Sequence, residues 1–280
     1  MISVMKLNSF TGAGYGEKAS LVLPTGPTYE EIFLETNLLP EQITRVTITL
    51  NGDEIVVLLE TNLLPEQITR VTITLNGDEI VVLDGKLMKM LEAYKGMPAA
   101  DGFYQIPLAD ITAKTKNGMR YTALVTEKGD NILLEVEIAP APENSPAVQL
   151  KGHASVSPAQ AARIVVPQIK KQTMQATATE NEFLDLVSGP LLHVRRMHFV
   201  SDKIQSVELS RDYIREYDST AVVDAMRAKR NRRFWQSGFY HFDPIMRGYY
   251  LDELMPTVHQ HELKFTVKTS EPCGTIPIIV

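Results

Sequence analysis

Cysteine is nearly missing from this chain of 280 residues: Cys273 stands alone. One thiol excludes an intrachain disulfide framework and fits synthesis in a reducing cytoplasm, and a structural role accounts for it better than a nucleophilic one. Positive charge is also short, with 28 Lys and Arg against 34 Asp and Glu for a formal net charge of −6. That balance argues against wholesale coating of nucleic acid and leaves room only for a local basic face. No apolar run approaches the ~18 residues that a spanning helix needs. The opening Met1–Lys6 lacks a basic stretch followed by a long apolar core, so no secretion signal is expected. Catalytic motifs are missing too: there is no Gly-x-Ser-x-Gly elbow, no phosphate-binding loop and no Cys-x-x-Cys pair. Gly12, Gly14 and Gly16 do not have the dinucleotide spacing, and no helical pattern follows them.

What the chain has is repetition, at two scales. Leu34–Leu58 and Leu59–Leu83 are the same 25 residues, LETNLLPEQITRVTITLNGDEIVVL, end to end. At the larger scale the two halves share a skeleton. Leu21–Pro27, a helical stretch from Asp84 and Gly102-Phe-Tyr104 are followed in the second half by Leu184–Pro190, a helical stretch from Asp218 and Gly238-Phe-Tyr240. With one copy of the short repeat removed, the glycine-to-glycine spacings become 51 and 49 positions (Gly26 to Gly102 is 76, less 25; Gly189 to Gly238 is 49). An apolar fraction of 44% is enough for real cores in both halves. Two β-rich halves built on one plan, with no catalytic cluster, point to a structural building block.

Short segments rich in β-branched residues, with turn signals every 8–12 residues, favour antiparallel sandwiches over a parallel sheet. In the first half the pattern predicts strands at 18–23, 29–36, 71–75, 80–83, 103–106, 119–126 and 132–138, the last two joined by a turn at Glu127–Asp130. Asn76-Gly77 is the tight hairpin signal, and each repeat copy reads as one helical turn (Leu-Pro-Glu-Gln) plus one hairpin. Leu87, Met90, Leu91 and Tyr94 make one face of a helix capped by Asp84 and ended by Gly96. Pro140–Pro146 holds three prolines in seven residues and reads as the linker between domains 1–142 and 143–280. The second half predicts strands at 164–176, 182–187, 191–200, 204–209, 239–242, 263–268 and 275–280. Its helix opens at Asp218 and carries Val222, Val223 and Met226 toward a core.

The opening Lys6–Phe10, the Leu-Pro-Thr-Gly-Pro-Thr-Tyr turn at 23–29 and the Leu-Pro-Glu-Gln-Ile-Thr-Arg-Val-Thr-Ile-Thr-Leu-Asn-Gly segment resemble the major capsid proteins of tailless, membrane-containing icosahedral bacteriophages of the corticovirus type. The resemblance is clearest over residues 5–58 and continues through the second half in the order of elements. It implies an all-β double jelly roll, two eight-stranded antiparallel sandwiches with short helices in connecting loops. It further implies homotrimers whose six sandwiches form near-hexagonal capsomers, tiling a virion shell over an inner membrane and assembled in the host cytoplasm. The partners implied are copies of the chain, neighbouring capsomers, the inner viral membrane and other capsid proteins, with no specific nucleic acid and no small-molecule substrate. The family pattern has one copy of the 25-residue segment, so one copy here reads as surplus to the fold.

Candidate sites are few. Pro24, Gly26, Pro27, Gly102, Gly189, Pro190 and Gly238 mark structural turns. Arg227, Lys229, Arg230, Arg232 and Arg233 form a basic patch at a helix end, suited to a neighbouring subunit or to lipid headgroups. Phe234 and Trp235 after it read as a helix end packed on a buried aromatic rather than a nucleic-acid platform. One of Arg195 and Arg196 is expected in an ion pair. His193 and His198, and His259 and His261, complete no familiar metal set. Asp243, Asp252 and Glu253 read first as solvated, with calcium at subunit interfaces the alternative; no other cofactor is expected. The apolar C-terminal Ile276–Val280 and the N-terminal arm are expected to act as clasps on a neighbour's sheet. Rival readings stay open. A carbohydrate- or receptor-binding sandwich would need an exposed aromatic platform, for which Tyr249-Tyr250 is the candidate, and a cupin-like enzyme would need a histidine cluster inside one barrel.

Overall fold

The computed structural model describes residues 3–6, 22–23, 33–34, 45–50, 56–60, 68–97, 103–139, 151–156 and 162–280. They fall into two compact units, the first Met1–Ala93 with Met97–Lys170 and the second Tyr94–Gly96 with Lys171–Val280. The division therefore comes after Lys170, 28 residues beyond the boundary expected at 142. The proline-rich segment 140–146 lies outside the described residues. Beyond it the chain returns to the first unit as a strand, Lys151–Val156, which pairs on both sides.

In unit 1 the strands are β1 (Ser3–Lys6), β2 (Val22–Leu23), β3 (Phe33–Leu34), β4 (Arg45–Leu50), β5 (Val56–Glu60), β6 (Ile68–Leu75), β7 (Asp78–Leu83), β8 (Phe103–Ile106), β9 (Ile132–Ile138) and β10 (Lys151–Val156). Helix α1 (Gly85–Tyr94) lies between β7 and β8, and α2 (Lys116–Thr122) between β8 and β9. Unit 2 contains β11 (Lys171–Ala176), β12 (Glu180–Phe183), β13 (His193–Val194), β14 (Met197–Phe199), β15 (Ile204–Arg211), β16 (Ile214–Thr220), helix α3 (Ala221–Arg230), β17 (Tyr240–Phe242), helix α4 (Tyr250–Glu253), β18 (Met255–Pro256), β19 (Leu263–Thr269) and β20 (Gly274–Ile279).

Unit 2 shows the plan most plainly. Its sheets run β11-β20-β14-β17 and β12-β19-β15-β16. Leaving aside the two-residue pair β13–β18, its eight strands in chain order stack as first-eighth-third-sixth and second-seventh-fourth-fifth. That is the double Greek key of a jelly roll. Unit 1 repeats it with β1-β10-β5-β8 and β4-β9-β6-β7. β2 and β3 lie outside the eight, added in parallel to β4 and β5.

Local chemistry accounts for the elements. Asn76 and Gly77 take φ of 53° and 96°, which lets β6 and β7 turn back in two residues. The Leu87 N–H donates to Asp84 Oδ1 at 2.9 Å, capping α1. Gly96 at φ 70° ends it, and a Cβ there would run into the Phe234 ring. Residues 119–126 hold no strand. Thr115 Oγ1 accepts from Gly118 N at 3.0 Å and starts α2 instead, and Glu127–Asp130 is a turn without a hairpin. The stretch expected at 191–200 breaks into β13 and β14 at Arg195-Arg196, and the one expected at 164–176 is strand only from Lys171. β16 was not foreseen. Its residues are largely exposed on a sheet edge, so no apolar alternation announces it. The unit 2 core joins Phe199, Phe242, Phe265 and Tyr240 to the β-branched residues of β15, β19 and β20. Phe242 stands edge-on to Phe265 at 5.4 Å.

The two copies of the 25-residue segment have different fates. Their first strands flank β9 on opposite sides in one register: Arg45 and Arg70 both face Glu137, Ile48 and Ile73 both face Leu134, Thr49 and Thr74 both face Leu133. Their second strands diverge. In copy two, Asp78–Leu83 folds back on β6 as a hairpin. In copy one, β5 leaves for the other sheet and pairs with β10 and β8, so only one copy makes the hairpin expected of both. Identical residues thus take whichever partner is available, as context-dependent strand propensity allows. The second copy is not looped out, since copy one supplies the second and third strands of the roll.

In unit 2 the Gly189-Pro190 turn falls between the second and third strands, β12 and β14. In unit 1 the matching Gly26-Pro27 falls in sequence between β2 and β3. β2 and β3 are therefore the counterparts of β12 and β14, and copy one sits in their places. Excising either copy yields the same 255-residue chain (280 less 25). With β2 and β3 free to pair with β9 and β10, that chain should unfold in one cooperative transition, within about 4 °C of the full chain for a change near 1 kcal/mol. Loss of cooperative melting in circular dichroism would mean both copies are needed.

Candidate functional site

Unit 2 carries two buried polar clusters, and both position its long connection between β16 and β17. The first is built on Asp224, fully buried on the inner face of α3. Its Oδ2 accepts from Tyr217 Oη at 2.5 Å and from Tyr240 Oη. Its Oδ1 accepts from Ser219 Oγ at 2.9 Å and Arg227 Nη1 at 3.0 Å. Burial raises the pKa of both tyrosines, so they remain donors across the physiological range. This cluster decides which way α3 faces. The helix starts at Thr220, whose Oγ1 caps Val223 N, rather than at Asp218, and it packs inward through Asp224 and Ala228. Val222, Val223 and Met226, expected in a core, stand 79%, 43% and 55% exposed. A carboxylate serving three hydroxyls has taken the inward face that an apolar pattern would assign to the valines.

The second cluster is built on Asp243. Arg196 Nε donates to its Oδ2 at 2.8 Å and Tyr94 Oη at 3.0 Å, while Arg233 Nε approaches to 3.9 Å. Arg196 Nη2 reaches Tyr250 Oη at 2.9 Å. The expected ion pair from the Arg195-Arg196 dipeptide is thus present and buried. Asp243 is corrected from a solvated carboxylate to the buried centre of this group: it directly follows β17, whose three residues are all buried, and is itself buried. Losing one partner of such a pair costs about 3–5 kcal/mol.

Beside it lies a histidine pair missed in the sequence, because its members sit on different strands, β14 and β17, and meet only by register. His198 Nδ1 and His241 Nδ1 are 2.7 Å apart, and both rings are buried. The Gln236 N–H donates to His241 Nε2 at 3.2 Å, which leaves the His241 proton on Nδ1 and makes His198 Nδ1 the acceptor. Tyr94, Trp235 and Phe239 ring the pair. Burial holds His198 well below its usual range, helped by His241, Arg196 and Lys95, and burial pulls His241 down to about 3.

The remaining sequence candidates place as follows. Pro24, Gly26, Pro27 and Gly102 lie outside the described residues. Gly189 is pinned by Thr257, whose Oγ1 accepts from Gly189 N at 3.1 Å, and Gly238 turns at φ 82°. The basic patch loses Arg233, buried against Asp243, and keeps Arg227, Lys229, Arg230 and Arg232 on the surface. Ile276–Val280 does not form a free clasp. Its residues to Ile279 are the C-terminal part of β20, between β11 and β14, with Ile276, Ile278 and Ile279 buried. The aromatic platform fails as well, since Tyr250 is buried beside Tyr249. Among the described residues no group of three His, Cys, Asp or Glu side chains could hold a metal ion, and no helix is long and apolar enough to cross a membrane.

Comparison with known proteins fits this architecture. The model of the viral coat protein P2 C-terminal domain matches residues 166–280. That of the P2 N-terminal domain matches twice, over 4–58 and 54–157, the break falling at the end of the first repeat copy. No curated protein sequence matches the chain. Among solved structures, the major capsid protein P2 from bacteriophage PM2 superposes with a TM-score of 0.78 at 17% identity, covering 100% of this chain and 96% of that one. The STIV MCP gives 0.63 at 11% identity, with 100% and 95% covered. The PBCV-1 virus capsid gives 0.62 at 8% identity, with 100% and 92% covered. At these identities the likeness establishes the double jelly-roll fold.

The histidine pair makes stability depend on pH. Both rings are neutral when folded, whereas a histidine in the unfolded chain titrates near pH 6.5. The unfolded state therefore binds more protons below that value, and stability present at pH 7 is lost as pH falls. The loss is about 1.4 kcal/mol per pH unit for each ring, reaching roughly 3–4 kcal/mol by pH 5. Melting temperature should drop between pH 7 and 5 in the parent chain and far less in His198→Gln/His241→Gln. Equal slopes would show that the pair is not buried neutral.

Proposed function

The chain belongs to the viral coat protein P2 family, and from that premise we propose that it works as a homotrimer, three subunits contributing six jelly rolls to one capsomer. It is a major capsid protein, a virion component with a structural role. The observation that carries the trimer is the matched strand order of the two units, β1-β10-β5-β8 beside β11-β20-β14-β17 and β4-β9-β6-β7 beside β12-β19-β15-β16. Two similar rolls in one chain give a threefold assembly six similar sides, and a six-sided tile packs a closed lattice without gaps. The shell is proposed to enclose an inner membrane, with other capsid proteins completing it and assembly in the host cytoplasm. No cofactor is proposed for the subunit, calcium at subunit interfaces being the alternative. Cohesion comes from many modest contacts, each weak enough to be corrected during assembly.

Light scattering on the purified chain should give three times the subunit mass of 31.3 kDa. A monomer at micromolar concentration would contradict the trimer.

A further inference from the structure

Helices α1 and α3 hold the same place in their rolls, between the fifth and sixth strands, and each is ten residues long. Aligned from their first residues, Leu87 corresponds to Val223 and Met90 to Met226. Leu87 and Met90 are each 5% exposed, whereas Val223 and Met226 stand 43% and 55% exposed. One helix has its apolar side covered within the chain and its counterpart does not. The difference is not looseness, because the Asp224 cluster fixes α3 with its valines outward. A surface helix ordinarily turns such residues in and its carboxylates out.

We infer that the outer face of α3, Val222, Val223 and Met226 with Lys229 and Arg230, docks on unit 1 of a second copy of this chain. The inference rests on the trimer proposed above and names one surface that makes it. Charge selects this occupant. Unit 1 carries 13 Lys and Arg against 20 Asp and Glu, a net of −7, while unit 2 carries 15 against 14, a net of +1. The surface cations Arg227, Lys229, Arg230 and Arg232 cluster at the end of α3, so a contact from unit 2 to unit 1 brings the basic end of a helix to the acidic unit. The interface is heterologous and closes after three copies.

The test compares the full chain with Val223→Asp/Met226→Asp by light scattering over a concentration series at low and high salt. Both positions are exposed, so melting temperature should match the parent within about 2 °C, showing an intact fold. Association should weaken roughly 100-fold, as expected when a carboxylate replaces an apolar anchor at a buried contact. In the parent, raising salt from 50 to 500 mM should weaken association, and Lys229→Glu/Arg230→Glu should remove that dependence. A parent trimer alongside an equally stable trimer of the double aspartate variant overturns this surface while leaving the trimer standing. A monomeric parent overturns the trimer itself. A monomeric parent that sediments with anionic phosphatidylserine vesicles, and fails to do so with both substitutions, assigns the face to a lipid surface instead and overturns the inference.

Discussion

Antiparallel pairing between the last two strands of each roll and strands far back in the chain is the interaction on which everything else depends. In unit 2, β20 joins β11 across about a hundred residues, with Lys171 opposite Ile279, and β19 sits between β12 and β15. In unit 1, β10 and β9 play the same parts. Until these strands arrive neither sheet has a middle. Their arrival puts Phe265, Val267, Ile276 and Ile278 out of water together, at about 25 cal/mol for each Å² of apolar surface removed. Such closure is entropically slow, since long loops are ordered before their contacts form. Gly274–Ile279, held between β11 and β14 in the middle of its sheet, is not free to add to a neighbour's sheet.

The buried carboxylates work on this frame. Asp224 and Asp243 sit near the two ends of the β16-to-β17 connection; hydroxyl and guanidinium donors reach both oxygens of Asp224 but only Oδ2 of Asp243, whose buried Oδ1 has no hydrogen-bond partner among the described residues. Neither is an economical way to gain stability, because desolvating a charge offsets much of the attraction it recovers. What they provide is direction. Asp224 decides which side of α3 faces solvent, and Asp243 holds Arg196, Tyr94 and Arg233 at one point. The neutral histidine pair next to Asp243 completes a packed, uncharged filling between β14 and β17. Together they convert an ordinary jelly roll into one with a fixed outward face.

Much of the fold could be read from residue patterns. The Asn76-Gly77 hairpin, the Asp84 cap, the Gly96 stop and the strands β15, β19 and β20 each have a local signature, and the shared skeleton of the halves foretold the shared strand order. The family likeness added the function. What escaped has a physical reason in each case. β16, with Arg215, Glu216 and Asp218 on an exposed edge, looks like a polar loop because its stability comes from pairing with β15. α3 deceives because its inward residue is an acid whose three hydroxyl partners, two of them tyrosines, lie at distances a periodic pattern does not register. The histidine pair and the Arg196–Asp243 pair need the register of β14 with β17, which no spacing along the chain encodes. The tandem segment is the clearest case. Its two copies share every residue, so only their partners can make one a hairpin and the other two strands in separate sheets.

The central claim is that this coat subunit builds threefold capsomers from rolls of one strand order. Electron cryomicroscopy of purified particles, at a resolution that traces strands, tests it directly. The account predicts capsomers with threefold symmetry containing six sandwiches, each stacked first-eighth-third-sixth over second-seventh-fourth-fifth. Capsomers of another symmetry, or two rolls of unrelated strand order within one chain, would contradict it.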